Sequence, residues 1–510
     1  MRNWTRRDAL IGIGVAAGAC ASIGRAAEAR PNILFAIADD LSWRDLGANG
    51  CRAVRTPAFD RVAGQGVLFR NAFCAAPQCS PDRAAILTGR HIWQLREAGT
   101  HASSFPADLA VYPDALEKAG YQVGFTGKAW GPGNWQISGR KRNPAGVDFS
   151  SARTEPPSPR IGQIDYAANF EAFIKQRSAN QPFCFWYGAQ EPHRQYDPGS
   201  GRRAGKRLED VEVPKFLPDT EQVRSDILDY LLEVEWFDRH LGRMLELLDS
   251  RGLADNTLVV VTSDNGFPFP RAKANLYEYG IHMPLAVRWP SRVKGGRTSE
   301  ALVSFVDFAP TFFEAAGVRP PGGLVGKSLV PLLAGSAGSR SVENRWVLCG
   351  RERHSHARFD NLGYPARAIR TARHLYIHNL KPDRWPAGDP DGYHDIDPSP
   401  TKELVVASLK QADRLARLAL EKRPAEELYD VSRDPDCLNN LAGGSEHEAV
   451  RRELAETLAA ALREQGDPRY EPGQEDVFDS YPRYSPMRPE LGGFAEQGKY
   501  NPRYAGKKRE

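Results

Sequence analysis

Residues 78–90 run from Gln78 through Cys79, Ser80, Pro81, Asp82 and Arg83 into a small-residue helical stretch that ends at Gly89. Cys79 reads as a loop residue, with Pro81 and Arg83 at fixed distance behind it. A cysteine so placed serves as nucleophile, metal ligand, disulfide partner or small apolar filler, and residues elsewhere must decide between these. Two further pairs carry chemistry, Asp39-Asp40 and Asp264-Asn265. Three aspartates and one amide make a hard oxygen cage, suited to Ca²⁺ or Mg²⁺ rather than zinc. Such pairs also serve commonly as turn and cap residues. Two of them, each directly after an apolar run, favour the metal.

The elements that must position these residues are legible as alternating runs. Asn32–Ala38 is a continuous apolar stretch, the pattern of a strand buried on both faces of a parallel sheet. Similar strands are expected at 121–126, 183–188, 257–261 and 284–289. Helical periodicity covers 56–65, 112–119, 166–176, 221–250 and 305–316. Strands alternating with helices mean an α/β fold with a large, mostly parallel sheet, whose ligands bind beyond the carboxyl ends of the strands. Asp39, Asp40, Lys128, Glu191, His193, Asp264 and Asn265 all follow apolar strands. The topology therefore gathers them at one sheet edge.

The catalytic domain is expected over 30–340, its last part a Gly- and Pro-rich linker. A smaller C-terminal α+β domain follows over 341–465, with short strands near 345–348, 368–370 and 374–378 and helices at 402–420 and 448–464. Residues 466–510 form an irregular tail. The chain has 510 residues, 41% hydrophobic and 26% charged, and a net charge of +4. So small a charge, with no dominant basic block, argues against nucleic acid as a partner. Seven cysteines without a CxxC spacing exclude a zinc ribbon or a disulfide framework, and leave a single 51–74 bridge open.

Residues 1–29 read as an export signal. Arg6-Arg7 precede a Gly/Ala-rich apolar run over 11–23, too short for a stable membrane span, and Ala27-Glu28-Ala29 offers a small-x-small cleavage site. The pattern resembles a twin-arginine signal, implying export machinery as a partner and a periplasmic or extracellular protein. The residues before Cys20 resemble a lipoprotein box only weakly, since the usual leucine is missing.

Cys79-Ser80-Pro81-Asp82-Arg83 resembles the Cys-x-Pro-x-Arg signature of the type I sulfatases. Asp39-Asp40, Gly127-Lys128, His193 and Ser263-Asp264-Asn265-Gly266 follow that family's order and separations. The likeness covers about residues 31–335 and continues at Glu427-Leu428-Tyr429-Asp430 and Arg433-Asp434-Pro435. Within the family it is nearest the heparan N-sulfatase (sulfamidase) branch, through Ser263–Pro270, Asn275-Leu276-Tyr277, Glu191-Pro192-His193-Arg194, 363–368 and 378–380.

The resemblance implies an alkaline phosphatase-like fold. It also implies one Ca²⁺ held by Asp39, Asp40, Asp264, Asn265 and residue 79, and a maturation enzyme that oxidises Cys79 to Cα-formylglycine. Hydrated, that aldehyde is a gem-diol. One hydroxyl attacks sulfur, the alcohol or amine leaves, and the second hydroxyl expels sulfate. Arg83, Lys128 and Lys273 would steady the charged oxygens, and His193 would protonate the leaving group. The implied substrate is a sulfated saccharide, first the N-sulfoglucosamine unit of heparin or heparan sulfate.

One departure stands out. The family often carries histidine two positions after the lysine, where this chain has Trp130. His101 is the candidate replacement, and Trp130 is either a core residue or a stacking wall for a sugar. Further substrate contacts are expected from Arg194 and from the basic loop with Glu352, Arg353 and His354, together with Arg358 and Asp360. Rival readings are an O-sulfatase acting on algal or host polysaccharide, a phosphomonoesterase or phosphonate hydrolase of the same superfamily, and a non-catalytic saccharide-binding relative.

Overall fold

A computed structural model describes residues 30–335, 344–390 and 392–492. The expected export signal lies outside these residues, as do Cys20 and the end of the tail. Eight strands form the large sheet: β1 (Asn32–Ala38), β2 (Val67–Phe73), β3 (Gln122–Gly127), β4 (Val147–Asp148), β5 (Phe183–Gly188), β6 (Thr257–Ser263), β7 (His282–Arg288) and β8 (Arg297–Ser304). Their order is β4-β3-β5-β1-β6-β7-β2-β8. All neighbours run parallel except β7, which is antiparallel to both β6 and β2. The expected strand at 284–289 is thus a return strand. It follows β6 through the 264–281 loop without a crossover on the far face, and a direct return reverses direction.

The apolar run of β1 explains the layering. Ile33, Phe35 and Ile37 join one hydrophobic cluster, and Leu34, Ala36 and Ala38 join another on the opposite face. Alternate side chains of a strand point to opposite faces, so a central strand covered on both sides must be apolar throughout. The 30-residue helix Glu221–Ser250, opened by the Thr220 side chain accepting from Val223 N, covers the second face. Helix Phe308–Ala316 covers the first.

Beyond this lies a four-stranded antiparallel sheet, ordered β12 (Glu426–Asp430), β11 (His374–Asn379), β10 (Ala366–Thr371), β9 (Trp346–Arg351). One face, with Val347, Cys349, Ala368 and Ile377, joins the core of the large sheet. The other, with Leu348, Ile369, Tyr376 and Leu428, packs on Leu454, Leu458 and Leu462 of helix Glu448–Glu464. The helix expected at 402–420 is two, Pro400–Leu409 and Arg414–Leu420, the second restarted by the Asp413 side chain accepting from Ala416 N. The tail runs as turns across the molecule as far as residue 492, and Tyr484 N donates to Ala102 O. Cys51, Cys74, Cys79, Cys184, Cys349 and Cys437 are all unbridged. No helix among the described residues is long and apolar enough to cross a membrane.

Candidate active site

Strand register assembles the site. Ala38 of β1 pairs with Ser263 of β6, so Asp39-Asp40 emerge beside Asp264-Asn265 despite their distance in sequence. Three bonds lock the two ends together. Asp264 N donates to Ala38 O, Asp40 N donates to Asp264 Oδ1 at 3.2 Å, and Asn265 Nδ2 donates to Asp40 Oδ1 at 2.7 Å. On the other side of β1, Gly127 of β3 pairs with Gly188 of β5. That register delivers Lys128 and, past Glu191, His193.

Cys79 is not a loop residue as the sequence suggested. It is the first residue of helix Cys79–Thr88, capped at its end by Gly89 at φ 67. Pro81 sits in the first turn, where a missing N–H leaves no helical bond unmade. The Asp82 carboxylate turns back to accept from Ala75 N at 2.7 Å. The helix is buried along its length, which is why its residues are small or internally paired.

Cys79 Sγ lies 3.4 Å from Asp39 Oδ1. Lys128 Nζ donates to Asp39 Oδ2 at 2.5 Å, and Lys273 Nζ donates to Asp40 Oδ2 at 2.6 Å. Arg83 Nε donates to Asp264 Oδ2 at 2.7 Å, and its Nη1 to the carbonyls of Lys128 and Ala129. Arg83 therefore joins the Cys79 helix to two strand ends. His193 Nδ1 is 2.6 Å from Arg194 O, a partner that can only accept, so that nitrogen carries the hydrogen. Nε2 faces the cluster, 3.9 Å from Asp40 Oδ2.

The charges balance locally. Burial alone would raise the Asp39 carboxyl, but Lys128, His193, Arg83 and Lys273 together hold it far below the usual range. Burial dominates at Asp264 and pushes it up to about 6, against the pull of Arg83. Burial also opposes the charge on Lys273, yet Asp397 and Asp40 keep its ammonium firmly protonated. Burial first, and then the Asp39 carboxylate, drive the Cys79 thiol well above its ordinary value. An unmodified Cys79 is a neutral thiol and a poor nucleophile.

Oxygens of Asp39, Asp40 and Asp264 and the sulfur of Cys79 all lie within 4.8 Å of one another. Asn265 Oδ1 is buried beside them without a hydrogen-bond partner. This oxygen-rich donor set, with an acceptor left over, fits a hard divalent cation.

A cleft of about 590 Å³ opens over the cluster, and Cys79, Lys128, His193 and Lys273 all face it. His101 faces it too, with Nδ1 3.1 Å from His354 O, and the two rings lie 4.5 Å apart. Burial keeps both imidazoles neutral. Asp397, which sequence reasoning missed, lines the same cleft and accepts from Lys273 Nζ at 3.1 Å. Its only signal was the Asp395-Ile396-Asp397-Pro398 string just before the Ser399 helix cap.

Four expected substrate contacts are corrected. Trp130 is a core residue rather than a sugar-stacking wall. It is 3% exposed, its ring meets Phe105 edge-on, and Nε1 donates to Ser80 O at 3.1 Å. Glu352 is sealed between Arg367 at 2.8 Å and Arg469 at 2.6 Å. Arg353 is sealed under the tail, donating to Tyr481 O and Pro482 O. Arg194 borders the cleft, but its fork is spent on Asp226 at 2.7 and 2.9 Å and its Nε on Pro268 O. A fifth, Arg358 in the loop of Glu352 and Arg353, is bound to Asp395.

Comparison with known proteins points one way. The family model described as Sulfatase matches residues 31–318, and that described as N-sulphoglucosamine sulphohydrolase, C-terminal, matches residues 271–418. The human N-sulphoglucosamine sulphohydrolase is 30% identical over 484 residues, spanning 86% of this chain and 91% of that protein. An ulvan-active sulfatase of Formosa agariphila is 29% identical over 456 residues, spanning 86% and 81%. A protein solved in complex with its substrate D-glucosamine-2-N,6-O-disulfate superposes with a TM-score of 0.61 at 23% identity, covering 86% of this chain and 98% of that one.

Proposed function

Because the chain belongs to the sulfatase family and is a sulfatase, we propose that it removes the N-sulfo group of glucosamine in heparin- or heparan-type saccharides, using a formylglycine made from Cys79 and one bound Ca²⁺. The observation that carries the mechanism is the position of Cys79, at the head of a buried helix and 3.4 Å from Asp39 in the acidic cluster. For the substrate, the support is the match of residues 271–418 to the N-sulphoglucosamine sulphohydrolase C-terminal model.

Asp39, Asp40, Asp264, Asn265 and residue 79 would hold the ion, which supplies Lewis-acid polarisation of a sulfo oxygen and of the nucleophile. Lys128 on Asp39 and Lys273 on Asp40 hold positive charge in the cleft that residue 79 faces, and screen the incoming anion from the carboxylates. Arg83 fixes the geometry from behind. His193, its Nδ1 pinned by the Arg194 carbonyl, delivers a proton from Nε2 to the leaving nitrogen. His101 faces the cleft beside Cys79 and supplies the hydrogen bond that Trp130 does not.

Asp397 reads the sugar. A carboxylate in a sulfate-binding cleft repels its ligand unless the ligand brings a donor to it. Asp397, beside Lys273, therefore takes a ring hydroxyl or the sulfamate N–H. The twin-arginine sequence supports export after folding, with oxidation of Cys79 by a maturation enzyme beforehand.

The test is turnover of the mature protein on matched N-sulfo, 2-O-, 3-O- and 6-O-sulfo glucosamines, with phosphate monoesters as controls. The proposal requires preference for the N-sulfo compound. Preference for an O-sulfated sugar favours the polysaccharide O-sulfatase reading, in keeping with the ulvan-active relative.

A further inference from the structure

On the reverse side of the 271–277 segment lies a second cavity, of about 460 Å³, sharing no lining residue with the catalytic cleft. Lys273 faces the cleft, whereas Arg271 and Tyr277 face this pocket. Its other wall is basic: Arg414 and Arg417 from helix Arg414–Leu420, then Lys422 and Arg423.

The cations outnumber their partners. Arg271 is 3% exposed, yet its guanidinium donates only to the carbonyls of Leu418 and Cys437, and its buried Nε has no partner. Arg423 donates to the Asn275 amide, and its Nε is likewise buried and unpaired. Both guanidiniums lie over the Tyr277 ring, at 3.9 and 4.8 Å from its centroid. Of the two acids in the lining, Glu421 is bound to Arg417. Glu427 accepts from Tyr277, Tyr429 and Asn379. Arg271, Arg414, Lys422 and Arg423 form no ion pair among the described residues.

A buried N–H without an acceptor is costly, and two guanidiniums on one ring repel each other, although Glu427 favours the charge on Arg271. An anion of matching geometry removes both costs, since planar forks suit the oxygens of a sulfo group. The volume suits a monosaccharide unit. We infer that this pocket is a non-catalytic binding site for a sulfated residue of the glycan chain, remote from the unit being cleaved. The choice of a glycan rests on the substrate class proposed above.

The experiment is calorimetric titration of the full-length protein with a heparin decasaccharide, comparing wild type with the double variant Arg414→Glu, Lys422→Glu. Both side chains are exposed, so reversing them spares the core. Affinity is expected to fall about 10-fold or more in the variant, and a decasaccharide stripped of sulfo groups but keeping its carboxylates should bind wild type equally poorly. Unchanged affinity in the variant, or full affinity for the desulfated chain, overturns the inference. Turnover of N-sulfoglucosamine itself, which engages the cleft alone, should be the same in both proteins. A matching fall there would also overturn it. Absence of that turnover in wild type would refute the substrate assignment instead, and the binding comparison would still judge the pocket.

Discussion

Arg83 donates its Nε–H to Asp264 Oδ2 at 2.7 Å, with both side chains fully sealed from solvent. The pair ties the Cys79 helix to the end of β6. Breaking a buried pair from one side leaves a charge without compensation, which costs roughly 3–5 kcal/mol. Arg83→Gln should lower the urea midpoint accordingly, whether or not Cys79 is oxidised. A midpoint equal to wild type would mean that the pair does not hold the site together.

Asp397 reaches the cleft from the connection between β11 and helix Pro400–Leu409. Asp397→Ala removes the acceptor for the sugar but leaves Lys273 on Asp40. A hydrogen bond to a charged group contributes about 1.5–3 kcal/mol, or roughly 10- to 100-fold in kcat/KM. That loss should fall on N-sulfoglucosamine, mainly in KM, and spare an aryl sulfate with no ring hydroxyls. Equal losses on both substrates would remove Asp397 from sugar recognition.

Trp130 supports the nucleophile helix from behind through Ser80 O. Trp130→Phe keeps an aromatic ring and deletes the donor, losing a second hydrogen bond to a carbonyl that the helix already engages, at a cost of about 0.5–1.5 kcal/mol. Thermal stability should drop while KM stays within about 2-fold, the effect of a group that never touches the sugar. A large rise in KM at unchanged stability would restore the stacking role.

Acid should weaken the fold through two buried histidines. Burial holds His91 down to about 3 and His240 down to about 4, from an ordinary 6.5. Below that ordinary value the unfolded chain binds protons that the folded chain refuses. Stability therefore falls as pH drops from about 6.5 towards about 4, by up to about 1.4 kcal/mol per pH unit for each histidine. His240→Gln should flatten the dependence of the urea midpoint on pH between 7 and 5. An unaltered slope would show that His240 is not kept neutral.

Strands β1, β5 and β6 were readable because a strand covered on both faces has to be apolar throughout, and the residues at their ends could be placed with them. β2 and β8 were not, because Arg70 and Asn71 interrupt one and Arg297-Thr298-Ser299-Glu300 opens the other towards solvent. The metal pairs Asp39-Asp40 and Asp264-Asn265 announced themselves by their position. Glu352 and Arg353 were misread because polarity does not reveal burial. Their partners, Arg469 for the first and the Tyr481 carbonyl for the second, lie more than a hundred residues away and come from a tail without periodicity. Asp397 was missed for the related reason that an irregular connection gives no hint of which edge it will reach.

The account stands on what residue 79 is in the working enzyme. Mass spectrometry of the peptide spanning Cys79, taken from protein active on a sulfated saccharide, measures this directly. The predicted result is loss of the thiol sulfur and gain of an aldehyde that reacts with hydrazine reagents, in proportion to activity across preparations. Full activity with an unmodified cysteine at position 79 would contradict the mechanism.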